Sequence, residues 1–123
     1  MEKKEQIIRE YFNAWIENTV SILPALLAED IAYSECYGPE YHGLEQILQW
    51  FSDWHGKGKV LEWRIKQFIH QKDIVAAEWY FECDYENNTD GFDGVSIIAF
   101  NQDNKITSVK EFQSKARHYY PYG

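Results

Sequence analysis

The hydrophobic period changes once along this chain, between Gly58 and Lys59, and that change limits the folds open to it. Before it, apolar residues recur every three or four positions. Ile7, Ile8, Tyr11, Phe12, Trp15 and Ile16 mark an amphipathic helix over Glu2–Asn18, and Leu44, Ile47, Leu48, Phe51 and Trp54 mark another after Gly43, stopped by Gly56 and Gly58. Between them Ser21–Ala28 suits a short helix, with Ser21 as N-cap and Pro24 in the first turn, followed by a strand Ile31–Cys36. From Lys59 onward the period is two: Leu61, Trp63, Ile65 and Ile69 fall on one face, and Val75, Ala77, Trp79, Phe81 and Cys83 on one face of the next run. Helices first and strands afterwards give an α+β arrangement, expected as a cone-shaped curved antiparallel sheet packed against three N-terminal helices.

The pairing of the two alternating runs follows from their apolar faces. Both must lie on one side of the sheet, so residues of equal parity pair, and a three-residue loop Gln71-Lys72-Asp73 supplies that register. Lys66 then sits opposite Glu78 on a charged outer face, and Gln67 is the lone polar side chain on the inner face of its strand. Further strands are expected at Phe92–Asn101 and Lys105–Ser114, joined by the turn Gln102-Asp103-Asn104. The 123 residues suit a single domain, 1–123.

Charge removes whole classes of partner. Twelve Lys and Arg against twenty Asp and Glu leave a net charge of −8, which repels phosphate lattices and anionic lipid, so neither nucleic acid nor membrane is an expected partner. Aromatic residues make up 17% of the chain, with five Trp and nine Tyr, a composition for a stiff core or for an apolar cavity with polar tips. Cys36 and Cys83 lack metal or redox spacing and read as reduced thiols; with no apolar leader at Met1–Glu10, the expected location is cytoplasmic. His42, His55, His70 and His118 are scattered without ligand spacing, and no phosphate loop or dinucleotide fingerprint occurs, so no metal and no cofactor is expected. The Tyr119-Tyr120-Pro121-Tyr122 tail is expected to dock over a cavity mouth or a partner subunit.

Two glutamates carry the chemical interest. In Tyr33-Ser34-Glu35-Cys36-Tyr37, alternation puts Tyr33, Glu35 and Tyr37 on one face. If that face points inward, Glu35 is a carboxylate in aromatic surroundings, where desolvation raises its pKa toward neutrality; if outward, it is merely a solvated charge. Glu111 faces the same choice in a run whose alternation is poor, Ile106 and Phe112 falling on one parity and Val109 on the other, and two carboxylates in one cavity would push each other's pKa values apart.

Several stretches resemble the nuclear transport factor 2-like superfamily, which includes ketosteroid isomerases, SnoaL-like polyketide cyclases and limonene-epoxide hydrolases. They are Tyr11-Phe12-Asn13-Ala14-Trp15, Leu26-Leu27-Ala28-Glu29-Asp30-Ile31-Ala32-Tyr33-Ser34-Glu35, Gly43-Leu44-Glu45-Gln46-Ile47 and Asn104-Lys105-Ile106-Thr107. The resemblance implies a cystatin-like roll. It implies Tyr11 as an oxyanion donor and Glu35 as a proton carrier at the isomerase positions, with Ser96 where the isomerases place a second acid. At the epoxide-hydrolase positions it implies Tyr33, Glu35 and Glu111, while Trp79 and Phe81 stand where those enzymes carry Arg and Asp.

The expected catalytic set is therefore Glu35, Tyr11 and Glu111. Tyr33, Trp15, Trp50, Trp54, Trp63, Gln67, Trp79, Phe81 and Ser96 are expected to line the pocket. The function these imply is binding of a small apolar or aromatic molecule, with isomerase, cyclase or hydrolase chemistry by carboxylate acid–base catalysis; the alternative is a non-catalytic ligand-binding or interaction module. A homodimer through the sheet is the expected assembly.

Overall fold

A computed structural model gives the protein's structure over residues 2–123. Helix α1, Glu2–Glu17, buries the stripe Ile7, Ile8, Tyr11, Phe12, Ala14 and Trp15 and ends where Asn18 turns left-handed at φ 55. A 3-10 turn, Val20–Ile22, leads into α2, Leu23–Leu26, a single turn carrying Pro24 at its start. The chain extends as β1, Leu27–Ser34, returns as the three-residue β2, Glu40–His42, and enters α3, Leu44–His55. Four long strands follow: β3, Gly58–Gln71; β4, Ile74–Tyr85; β5, Asn88–Phe100; and β6, Ile106–Ser114. Among the described residues no helix is long and apolar enough to cross a membrane.

The sheet is six-stranded, curled and unclosed, in the order β2-β1-β6-β5-β4-β3. The expected α+β roll is the observed fold, with one refinement: β1 runs parallel to β6, so the sheet is mixed. Helix and sheet meet through flat aromatic contact, Phe12 stacking on Trp63 with centroids 3.7 Å apart and planes 4° from parallel. His55, at the C-terminal end of α3, reaches the Phe51 carbonyl with Nδ1 and the Trp15 carbonyl with Nε2, each at 2.8 Å, and ties α3 to α1.

Strand β3 departs from strict alternation, and the departure overturns the expected register. Trp63 faces Phe81 and Ile65 faces Trp79, as equal parity requires, but the pairing slips between Val60 and Glu62 and again between Ile65 and Gln67. Each slip is a bulge that inserts one residue, bends the strand and reverses its faces. The β3–β4 turn is accordingly two residues long, Lys72-Asp73, with Lys72 left-handed at φ 55. Beyond the second bulge Gln67, not Lys66, sits opposite Glu78, and its Nε2 donates to Glu78 Oε1 at 2.8 Å on the exposed face. Gln67 is therefore no inner-face residue. Leu61 and Ile69 are turned out for the same reason, while Val60 is buried in their stead. The aromatic tail lies exposed and lines neither of the cavities described below.

Candidate active site

Between α3 and the concave side of the sheet lies an open vestibule of about 780 Å³. Trp50 and Trp54 enter it from one flank of α3, four residues apart and one step round from the core residues Ile47 and Phe51. Tyr41 from β2 stacks on Trp50 at 4.6 Å, and Tyr85 from β4 leans on Trp54 at 5.5 Å. Behind the vestibule is a small inner chamber of about 50 Å³, walled by Trp15, Tyr33, Trp63, Trp79, Phe81 and Glu111 among others. Glu35, Tyr37, Trp50 and Trp54 belong to both spaces and form the neck between them.

Each glutamate is held by a tyrosine. Glu35 lies just past the end of β1 in a turn closed by its amide donating to the Pro39 carbonyl at 3.0 Å, and its Oε2 accepts from the Tyr41 hydroxyl at 2.7 Å. Burial raises its pKa, and the Tyr41 bond pulls it part of the way back. Glu111 sits inside β6, directly across from Ser96 of β5, and its Oε2 accepts from the Tyr33 hydroxyl at 2.6 Å. Its pKa is pushed up to about 8: burial dominates and the Glu35 charge adds to it, against the opposing bonds from Tyr33 and Ser96. The residue keeps some exposure, but the cavity surface it meets is the inner chamber.

A buried relay stands behind Glu111. Trp79 Nε1 donates to Ser96 Oγ at 2.9 Å, which leaves the Ser96 hydroxyl proton free for an acceptor. Gly94, paired with Trp79 across β4 and β5, makes this possible because a Cβ there would collide with the Trp79 ring. Ser96 is fully buried and on neither cavity wall, so it supports Glu111 instead of lining the pocket.

Tyr11 also lies behind the wall, with its ring centroid 6.1 Å from that of Tyr33. Its hydroxyl is buried without a partner among the described residues; Tyr33 and Trp15 approach it, but not in bonding geometry. Tyr33, not Tyr11, makes the contact with a carboxylate. Burial, followed by the Glu111 charge, holds the pKa values of both phenols well above the ordinary value, so both remain donors. The Cys36 and Cys83 thiols are raised to about 12 and about 11, chiefly by burial, and are inert.

The five tryptophans, Tyr33 and Phe81 expected on the pocket wall all line the inner chamber, and Glu35 and Glu111 reach it together. Gln67 lies on the opposite face of the sheet. Sequence reasoning missed Tyr41, the partner of Glu35, because a three-residue strand is too short to show a period.

A family model described as the SnoaL-like domain matches residues 8–109. The chain belongs to the SnoaL-like family. No curated protein matches it in sequence. Solved structures show the same fold at low identity. An LEH-like epoxide hydrolase of M. tuberculosis superposes with TM-score 0.82 at 13% identity, over 92% of this chain and 84% of the other. A candidate polyketide cyclase from Xanthomonas campestris pv. campestris superposes with TM-score 0.75 at 16% identity, over 92% and 91%. A protein of ketosteroid isomerase-like fold from Catenulispora acidiphila, in complex with trimethylamine, gives TM-score 0.77 at 19% identity, over 89% and 85%. Identities this low speak for the fold alone, and the chemistry of this SnoaL-like domain rests on its own residues.

Proposed function

We propose that this SnoaL-like protein is a cofactor-independent enzyme that moves a proton on a small, largely apolar or aromatic molecule, with Glu111 as the acid and Glu35 as the base. The observation that carries the reading is the Glu111 carboxyl, placed on the inner chamber and raised to about 8 by burial, beside a second carboxylate whose charge favours its neutral form. Glu111 keeps its proton at neutral pH, and Glu35, less deeply buried, gives up its proton before Glu111 does, so one cavity offers an acid and a base of the same residue type. With Oε2 engaged by Tyr33, the acid proton falls on Oε1. A carbonyl, hydroxyl or epoxide oxygen entering the chamber accepts that proton as negative charge develops, while Glu35 at the neck takes a proton from carbon or from water. Isomerisation, cyclisation and hydrolysis all use this pair. Neighbours named as epoxide hydrolase and candidate polyketide cyclase support the class, though not a substrate.

Titration by carboxyl NMR and a screen of enolisable ketones, hydroxy-ketones and epoxides test the reading. The expected result is a Glu111 resonance titrating near 8 and turnover abolished in Glu111→Gln. Titration near the ~4.3 of a free glutamate would sink the acid role and leave the non-catalytic alternative.

We also propose that the protein is a cytoplasmic homodimer through the outer face of the sheet. Ile69, Ile97 and Phe112 are exposed there, and both cysteines are free thiols. Sedimentation of Phe112→Glu against the wild type tests the contact; unchanged mass at all concentrations would refute it.

A further inference from the structure

The vestibule has an electrostatic character that proton transfer does not require. Glu35, Asp53 and Asp90 lie on its wall against a single cation, Lys57. Among the described residues none of these three carboxylates is ion-paired with a basic side chain. Five rings, Tyr37, Tyr41, Trp50, Trp54 and Tyr85, make up half of the remaining wall, with Pro39, Cys83 and the neutral amides Gln46, Gln49 and Asn88 between them. Ring faces carry negative quadrupole density, so rings and carboxylates favour the same sign of guest. An anionic guest is repelled. A neutral guest covers the carboxylates without compensating them, which costs desolvation.

The inner chamber limits the size of what can pass the neck. Trp15 and Trp63 line it with their rings and are 4% and 9% exposed, while the Trp15 Nε1–H approaches the Tyr11 hydroxyl behind the wall. About 50 Å³ admits a small oxygen-bearing group or a water and not a ring.

We propose that the ligand of this site is an organic cation: an ammonium group on an apolar body seated in the aromatic, acidic vestibule, with a compact oxygen acceptor at its other end entering the inner chamber. The acceptor end rests on the acid–base reading above, whereas the cationic end rests on the vestibule alone. Glu35 then serves as counter-ion as well as base, and the net charge of −8 draws such a guest toward the protein.

Three probes of equal chain length test the proposal with the wild-type protein, by tryptophan fluorescence titration at low salt. They are a methyl ketone bearing a trimethylammonium group at the far end of a propyl chain, its tert-butyl isostere in which carbon replaces nitrogen, and the corresponding carboxylate. The ammonium ketone is expected to bind about tenfold more tightly than the isostere, with the carboxylate weakest. The preference should shrink several-fold in the double variant Asp53→Asn, Asp90→Asn, whose two sites are exposed and do not threaten folding. Equal or tighter binding of the isostere or of the carboxylate would overturn the cationic assignment, as would an undiminished preference in the double variant. Binding is read without turnover, so a failed charge preference leaves the acid–base reading standing. A silent Glu111→Gln, conversely, would sink that reading and leave the charge preference intact.

Discussion

Glu35 and Glu111 share one cavity system and one side-chain chemistry, yet they sit at different depths. Glu35 belongs to a turn beyond the end of β1, on the neck where the open vestibule begins, and its pKa is raised by burial that the Tyr41 bond offsets in part. Glu111 belongs to the interior of β6, flanked by paired strands and facing a chamber of about 50 Å³, and its pKa reaches about 8. Depth in a curled sheet thus separates two glutamates into a base and an acid, as desolvation penalises the charged form of the inner one more heavily. The lesson concerns tyrosines as well: each carboxylate keeps one phenolic donor, so hydrogen bonding alone does not set them apart.

The sharpest way to break this comparison is to remove the inner carboxyl. Glu111→Gln is expected to lower kcat by about a hundredfold to ten-thousandfold and to abolish the alkaline limb of the pH–rate profile, leaving the acid limb set by Glu35. Glu35→Gln should do the reverse, losing the acid limb while an alkaline fall persists, moved below about 8 because the Glu35 charge no longer raises Glu111. A pair of variants with identical profiles would erase the distinction.

Stability gives a second separation, smaller and independent of substrate. Between the ordinary 4.5 and about 8 the folded protein keeps a proton on Glu111 that the unfolded chain has released. Stability from this group is therefore complete below the unfolded pKa, declines as pH rises through that window and levels off above about 8. Glu111→Gln should flatten the decline, its melting temperature gaining on the wild type from pH 5 to pH 9 by the equivalent of roughly a few kcal/mol at most. A constant difference across that range would contradict a buried, raised Glu111.

The tyrosines sharpen the comparison further. Tyr33→Phe removes a bond that lowers the Glu111 pKa, so the alkaline limb should move above pH 8, whereas Tyr41→Phe should move only the acid limb upward. Each is read from pH–rate profiles and from carboxyl NMR. Trp79→Phe should cost about 1 kcal/mol in denaturant unfolding by releasing Ser96. Gln67→Ala, on the outer face, should stay within about 0.5 kcal/mol of the wild type and leave activity unchanged.

The sequence contains the α+β order, because a helix and a strand impose different periods on the residues that must avoid water, and each period can be read locally. It contains the aromatic character of the site and Glu35 for the same reason, since composition and alternation are properties of the chain itself, whereas Glu111, where alternation is poor, is singled out by the family resemblance. Only the tertiary structure decided which face of β3 Gln67 takes, since the bulges at Leu61 and Lys66 answer to the curl of the whole sheet. The same is true of the partnering of Tyr41 with Glu35 and of Tyr33 with Glu111, contacts that span 6 and 78 residues. The acidity of Glu111 lies furthest from the sequence. Desolvation depends on everything packed around a carboxyl, and here the walls of the inner chamber come from five of the six strands, the turn after β1 and two helices.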